Sequence, residues 1–294
     1  MSQSTLEGDF YDYMHRTGEA DAEANAAILQ YYLPFFKECG TVLDVGCGEG
    51  QFLRLLEDEG ITAIGIDIDP KMVSIAQADG HHVIRADLFE YLQGQEERFD
   101  GIFSSNLIEH LSSEDVLRFV RLSWQALKPG GILLLATPNP ESPIVHLYEF
   151  WRDATHVRLY NRPLVEFFLH QAGFRHIRSG VNPETIWTPP PQLHELEQTH
   201  KHHPELPPWE GWQRSIPSPE GGGIKGFIIR QKIKFAQWLL QELLPFKCFP
   251  LWDNVEKLWG SLEEKEIAVA TLAGLYRDTM TQAREIFAIG QKAE

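Results

Sequence analysis

Residues 42–50, Val42-Leu-Asp-Val-Gly-Cys-Gly-Glu-Gly50, join an apolar run to glycines at 46, 48 and 50. A buried strand ending in such a loop lets backbone approach a ligand closely, and the helix that starts after it presents unpaired N–H groups. The dinucleotide pattern G-x-G-x-x-G, counted from Gly46, needs its third glycine where this chain has Gln51. Asp67 closes a second strand, where a carboxylate can accept both hydroxyls of a ribose. Asp87 follows a third strand and is placed to hold an adenine amino group. A lone glycine-rich turn is as readily a tight strand–helix corner. Asp44, Asp67 and Asp87 at successive strand ends argue for a nucleoside ligand instead.

A second constellation lies in Ser105-Asn-Leu-Ile-Glu-His-Leu111, Thr137-Pro-Asn-Pro140 and Trp151-Arg-Asp-Ala-Thr-His-Val-Arg158. The first two segments follow strands, on the edge where open α/β sheets bind ligands. The candidate catalytic residues are His156, Asp153 and His110. In one reading His156 is a general base that takes a hydroxyl proton while Asp153 orients its ring. In a second, Glu109, His110 and His156 ligate a divalent cation that lowers the pKa of a substrate hydroxyl. In a third, Glu109 and His110 only cap or pack the following helix.

The elements that must carry these groups alternate in type. Strands are expected at 41–45, 63–68, 82–85, 101–104, 132–136 and 174–179, and helices at 51–58, 70–78, 114–127 and 163–172. Lys128-Pro-Gly-Gly131 is expected to be a turn. Alternation of this kind implies a parallel sheet covered on both faces. Residues 188–223 break the rhythm with Pro189-Pro-Pro191, Pro207-Pro208, Gly221-Gly-Gly223 and four histidines, and read as a loop or surface insertion. Beyond it, 228–244 and 276–289 are expected to be helices, with 267–273 a helical continuation or an edge strand.

The ordered motifs Asp44-Val-Gly-Cys-Gly-Glu-Gly50, Gly65-Ile-Asp-Ile-Asp69, Ala86-Asp-Leu88 and Leu127-Lys-Pro-Gly-Gly131 resemble those of class I S-adenosylmethionine-dependent methyltransferases. The resemblance covers roughly residues 40–180. It implies a doubly wound, seven-stranded Rossmann-like sheet and S-adenosylmethionine as cofactor. The cofactor residues it implies are Asp44, Gly46, Gly48, Asp67, Ile68, Asp87, Leu88 and Ser105. Gly46 and Gly48 would pass the methionine moiety, Asp67 would hold the ribose, Asp87 would read the adenine, and Asp44 would support the loop. The Glu109-His110 doublet is similar to metal sites of small-RNA 2′-O-methyltransferases and some quinone O-methyltransferases. Those families place another Glu where this chain has Asn106.

Phe10-Tyr-Asp-Tyr13, Tyr32-Leu-Pro-Phe-Phe36, Ile108-Glu-His-Leu111, Thr137-Pro-Asn-Pro140 and Asp153-Ala-Thr-His-Val157 look like bacterial methyltransferases from surface-polysaccharide (O-antigen) loci. This finer resemblance implies a sugar hydroxyl of a cell-surface glycan as acceptor, with a phenol or quinone precursor as the alternative. It also implies an N-terminal helical lid over 1–38, with Phe10, Tyr11, Tyr13, His15 and Arg16 as candidates, on a core at 39–187. The 188–224 loop and a helical region at 225–294 would follow, with the last core strand at 267–271. Trp187, Trp209 and Trp212 would stack on sugar rings or anchor the loop. His194, His200, His202 and His203 read as solvated.

The chain's 294 residues carry 26 basic and 42 acidic groups, a net charge of −16. That balance disfavours nucleic acid as a partner, since phosphates demand a basic footprint. Residues 225–294 hold 10 basic and 9 acidic groups, so nearly all the negative excess lies earlier. Cys39, Cys47 and Cys248 have neither metal nor disulfide spacing, and the first residues are polar. Both features give a cytoplasmic protein as the expectation. The 228–244 helix would pack on its own core, form a homodimer contact or touch a membrane surface. A non-catalytic interaction subunit using residues 225–294 is the non-enzyme alternative.

Overall fold

The computed structural model describes residues 22–186 and 281–293. Seven strands form its framework: β1 (Thr41–Val45), β2 (Thr62–Asp67), β3 (Val83–Arg85), β4 (Phe99–Ser105), β5 (Leu127–Pro138), β6 (Arg175–Val181) and β7 (Glu285–Gln291). Their order across the sheet is β3-β2-β1-β4-β5-β7-β6. The first five run parallel, and β7 lies antiparallel between β5 and β6. The helices are α1 (Ala22–Gln30), α2 (Gln51–Asp58), α3 (Pro70–Ala78), α4 (Leu88–Leu92), α5 (Ser113–Ala126), α6 (Pro143–Leu147) and α7 (Arg162–Ala172).

Alternate strand residues feed two cores, as the period of two requires. Leu43, Val45, Leu133 and Leu135 join Val116 and Phe119 of α5 and Val165 and Phe168 of α7. Val42, Leu134 and Ala136 join Leu29, Tyr32, Leu33, Phe36 and Phe52 on the other side. The helix ends follow local chemistry. Asp69 caps α3 with Pro70 in its first turn, Ser112 caps α5, and Asn161 caps α7, which Gly173 ends at φ 101°.

Four expectations change. The last core strand is β7 at 285–291, not 267–271, and it replaces the second half of the helix expected at 276–289. Ile286–Ile289 is buried on both faces because a core covers each side of the sheet here, Ala288 joining one and Phe287 and Ile289 the other, so its sequence shows a continuous apolar run rather than alternation. Such a run cannot be told from a buried helix segment by periodicity. Residues 128–131 are drawn into β5, whose pairing with β4 shifts register there, while Gly130 N donates to the Lys292 carbonyl. The described end of the expected lid packs into the core, with Tyr32, Leu33 and Phe36 buried among Phe52, Phe103 and Phe287. Finally, Leu88–Leu92 forms a short helix that periodicity did not show.

The lid candidates Phe10, Tyr11, Tyr13, His15 and Arg16 lie outside the described residues. So do Trp187, Trp209, Trp212, the four loop histidines and the segments 228–244 and 267–271. Among the described residues, no helix is long and apolar enough to cross a membrane.

Phe287 sits at the centre of β7 against the rings of Tyr31, Tyr32 and Phe35. Phe287→Ala should destabilise the protein by about 3 kcal/mol in chemical denaturation. A loss below about 1 kcal/mol would contradict a buried central β7.

Candidate active site

The glycine loop is held by β2. Gly46 N and Cys47 N both donate to the Ile66 carbonyl, at 2.9 and 3.1 Å. Gly48 N donates to Asp67 Oδ2 at 2.9 Å, and Asp69 N donates to Asp67 Oδ1 at 2.8 Å. One carboxylate therefore ties the loop after β1 to the turn after β2. Gly48, at φ 53°, would place a Cβ in open space, so the constraint there is backbone conformation and ligand approach. Gly50, at φ 83°, precedes α2 without any side-chain cap. Asp87 caps α4 through Oδ1, accepting from Phe89 N at 2.8 Å and Glu90 N at 3.1 Å, and Leu88 packs partly against the core.

Asp44, Gly46, Gly48, Asp67, Ile68, Asp87, Leu88 and Ser105 all gather at the carboxyl ends of β1–β4. S-adenosylmethionine suits this edge on three observations: the Asp67 carboxylate, the open space at Gly48, and Ile68, an apolar side chain 51% exposed beside Asp67. Burial pushes Asp44 up to about 8, with the Asp67 charge adding to the effect. Asp67 is also raised by burial, against the opposing bonds from Asp69 and Gly48. A cationic ligand would relieve both groups.

The second cluster adjoins this loop, because Leu107 packs where a Cβ on Gly46 would point, 3.3 Å away. The segment after β5 folds back on the segment after β4. Val157 N and Arg158 N both donate to the Glu109 carbonyl, at 2.8 and 3.2 Å, and Tyr160 Oη donates to the Leu111 carbonyl at 2.7 Å. His156 is thereby brought to Glu109 and His110, and ligand atoms from these three residues lie within 4.8 Å of one another.

The protons in this cluster can be placed by elimination. The Phe150 carbonyl can only accept, so His156 Nδ1 carries a hydrogen and donates it across 2.6 Å. Thr155 Oγ1 donates to Asp153 Oδ1 at 2.6 Å, so it accepts from His110 Nδ1–H at 2.9 Å. In their neutral forms both rings keep a lone pair on Nε2. Burial, then the neighbouring His156, lowers the His110 pKa and favours its neutral form. Glu109 accepts from Thr137 Oγ1 at 2.9 Å through Oε2, while Oε1 and His110 Nε2 are buried without a partner among the described residues. Burial pushes Glu109 up to about 8.

These contacts correct two expectations. Asp153 does not orient His156: Oδ2 stands 3.9 Å from His156 Nε2, beyond a hydrogen bond, and Oδ1 is engaged by Thr155. Glu109 does not cap α5, because Ser112 does. The donor set of Glu109, His110 and His156 suits a divalent cation. Each ring's other N–H is anchored on oxygen, as is usual for ligating histidines, and the third group is a buried carboxylate.

Three contributors were not expected from the sequence. Thr155 and Thr137 lay inside quoted segments, but nothing distinguished them from their neighbours. Glu285 was hidden by the helical reading of 276–289. It is a buried carboxylate pushed up to about 6 by burial, accepting from Tyr32 Oη, from Asn182 Nδ2 at 3.2 Å and from Ser105 Oγ at 3.5 Å.

A methyltransferase domain model matches residues 16–179, and the chain belongs to that family. The ubiquinone biosynthesis O-methyltransferase of Methylobacterium nodulans is 32% identical over 111 residues, covering 36% of this chain and 44% of that protein. The rat mitochondrial ubiquinone biosynthesis O-methyltransferase is 34% identical over 110 residues, covering 33% and 30%. The chain thus spans less than half the length of these curated relatives. A crystal structure of an S-adenosylmethionine-dependent methyltransferase from Archaeoglobus fulgidus superposes with a TM-score of 0.59 at 22% identity, covering 96% of this chain and 99% of that one. It shares the fold. The cofactor that family and fold imply is S-adenosylmethionine.

Burial makes Glu109 hold a proton that the unfolded chain loses, in the window from about 4.5 to about 8. Stability contributed at this site therefore falls as pH rises across that window. In EDTA at pH 8, Glu109→Gln should melt at least about 2 °C above wild type by calorimetry, the gap closing below pH 4.5. A variant that melts lower at pH 8 would contradict this.

Proposed function

We propose that this chain transfers the methyl group of S-adenosylmethionine to a hydroxyl oxygen of a small phenolic or quinone-precursor acceptor. The observation that carries the proposal is the convergence of Glu109, His110 and His156 beside the glycine loop, with Glu109 Oε1 and His110 Nε2 buried and unpartnered among the described residues. The ubiquinone-biosynthesis enzymes named above support the phenolic acceptor rather than the surface-polysaccharide acceptor expected from the finer sequence resemblance. A net charge of −16 continues to disfavour nucleic acid. The homodimer and membrane readings rest on residues outside those described, and the interaction-subunit reading on 225–294, of which only 281–293 are described.

When bound, S-adenosylmethionine supplies an electrophilic sulfonium methyl, and a divalent cation on Glu109, His110 and His156 would lower the pKa of the acceptor hydroxyl. The chain's own groups do the positioning. Asp67 would receive the ribose hydroxyls while still anchoring Gly48, and Asp44 would answer the positive charge at the methionine end. Ile68 and Leu88 would flank the adenine, with Asp87 and Ser105 at neighbouring strand ends. Phe150 stacks on His156 at 4.6 Å between centroids and holds its Nδ1–H, fixing the ring plane. Thr137 fixes one oxygen of Glu109 and leaves the other directed to the acceptor. Transfer would form the O–CH3 bond as the S–CH3 bond breaks, with the hydroxyl proton passing to water. Rate enhancement comes chiefly from alignment, since the donor is already activated.

Labelled methyl from S-adenosylmethionine should appear on ortho-diphenol acceptors, disappear with EDTA, return on adding a divalent cation, and be absent with lipid-linked glycans. Label confined to glycan would overturn the acceptor. EDTA-resistant transfer abolished in His156→Ala would restore the base reading. Asp67→Asn should weaken S-adenosylmethionine binding at least about 10-fold by calorimetry, the cost of one charge-assisted hydrogen bond. Unchanged affinity would remove Asp67 from the cofactor site.

A further inference from the structure

Thr155 stands between Asp153 and His110, a ring that the proposed chemistry uses. Its backbone N–H donates to Asp153 Oδ1 at 2.8 Å, and its hydroxyl donates to the same oxygen at 2.6 Å. Asp153 is itself buried, so its carboxylate has little water to turn to. The hydroxyl has one proton and spends it on Asp153. Its lone pair then faces His110 Nδ1 at 2.9 Å, an arrangement satisfied only when Nδ1 carries the hydrogen.

We infer that Thr155 is a positioning residue that fixes His110 as its Nδ1–H tautomer, through a relay running from Asp153 to Thr155 to His110. The inference rests on reading Glu109, His110 and His156 as the acceptor centre. A free neutral imidazole prefers its hydrogen on Nε2. The relay reverses that preference and leaves the Nε2 lone pair bare in a buried position where it has no protein partner among the described residues. With the hydrogen on Nε2, the ring would present an N–H to the centre and could neither ligate nor accept there.

Geometry around the ring supports the assignment. His110 meets His156 edge to face at 4.7 Å, so the two rings hold one another's planes. Leu107 O accepts the His110 backbone N–H in the short turn after β4, which fixes where the ring begins. What remains free is rotation and tautomer, and Thr155 restricts both, through Oγ1 and through a backbone bond to the ring. His156 receives the same treatment from the Phe150 carbonyl. The centre therefore has two imidazoles, each held at Nδ1 by an oxygen and presenting Nε2.

The test uses the full chain labelled with 15N-histidine, in EDTA at alkaline pH, with His110 assigned from the Glu109→Gln and His110→Gln spectra. Wild type and Thr155→Ser should both show the Nδ1–H pattern of nitrogen shifts at His110. Thr155→Val keeps the side-chain shape and the backbone bond to Asp153, and should move His110 towards the Nε2–H pattern. Its kcat should fall at least about 10-fold with little change in the KM for S-adenosylmethionine, and Thr155→Ser should restore it. An Nε2–H pattern in wild type would overturn the inference even if the valine variant does not fold. An unchanged tautomer in Thr155→Val would overturn it too. The spectra need no acceptor. A tautomer that switches as expected while phenols go unmethylated would uphold the relay and fail only the acceptor class.

Discussion

Four carboxylates, three buried and Asp67 half-buried, stand at the carboxyl edge of this sheet with raised pKa values, and none of them pairs with a lysine or arginine among the described residues. Asp44, Asp67, Glu109 and Glu285 are all pushed up, Asp44 and Glu109 to about 8. Removing a carboxylate from water is costly unless hydrogen bonds or an opposite charge replace the hydration. Asp67 and Glu285 are partly compensated by N–H and O–H donors. Asp44 and Glu109 have less. The edge is therefore built with a deficit of positive charge that a sulfonium cofactor and a divalent cation would both meet.

The sheet makes this affordable by holding the two halves of the site rigidly. β2 fixes the glycine loop through the Ile66 carbonyl and Asp67. Leu107 joins the turn after β4 to that loop. The 157–158 backbone is pinned to the Glu109 carbonyl, which draws the post-β5 segment over the same edge. β7 closes the arrangement from the far end of the sequence. Its first residue, Glu285, reaches Tyr32, Asn182 and Ser105, so elements at the start, the middle and the end of the chain meet at one carboxylate.

Much of this was legible in the residues. The strand–glycine loop–helix at 41–58 and the acids at 67 and 87 announce themselves because local chemistry dictates them: glycines where φ is positive, Pro70 behind a capping Asp69, carboxylates at strand ends. Glu109, His110 and His156 were recognisable as a set, although how they divide the work was not. The relay through Thr155 depends on which oxygen lies 2.9 Å from a ring nitrogen, and no spacing in sequence carries that. β7 was misread because a strand buried on both faces has no alternation, and with it Glu285 was lost. The distinction between Asp153 serving His156 and serving His110 is likewise one of side-chain geometry alone.

The charge deficit is the claim on which the rest turns, and proton linkage measures it directly. Calorimetric titration of the full chain at pH 7, in buffers of differing ionisation enthalpy, would count the protons released on binding. S-adenosylmethionine should displace up to about one proton as its positive charge lowers the Asp44 pKa, and S-adenosylhomocysteine, which lacks the sulfonium, should displace fewer. Equal proton counts for the two ligands, or no release by either, would contradict a site whose buried carboxylates await a cationic cofactor.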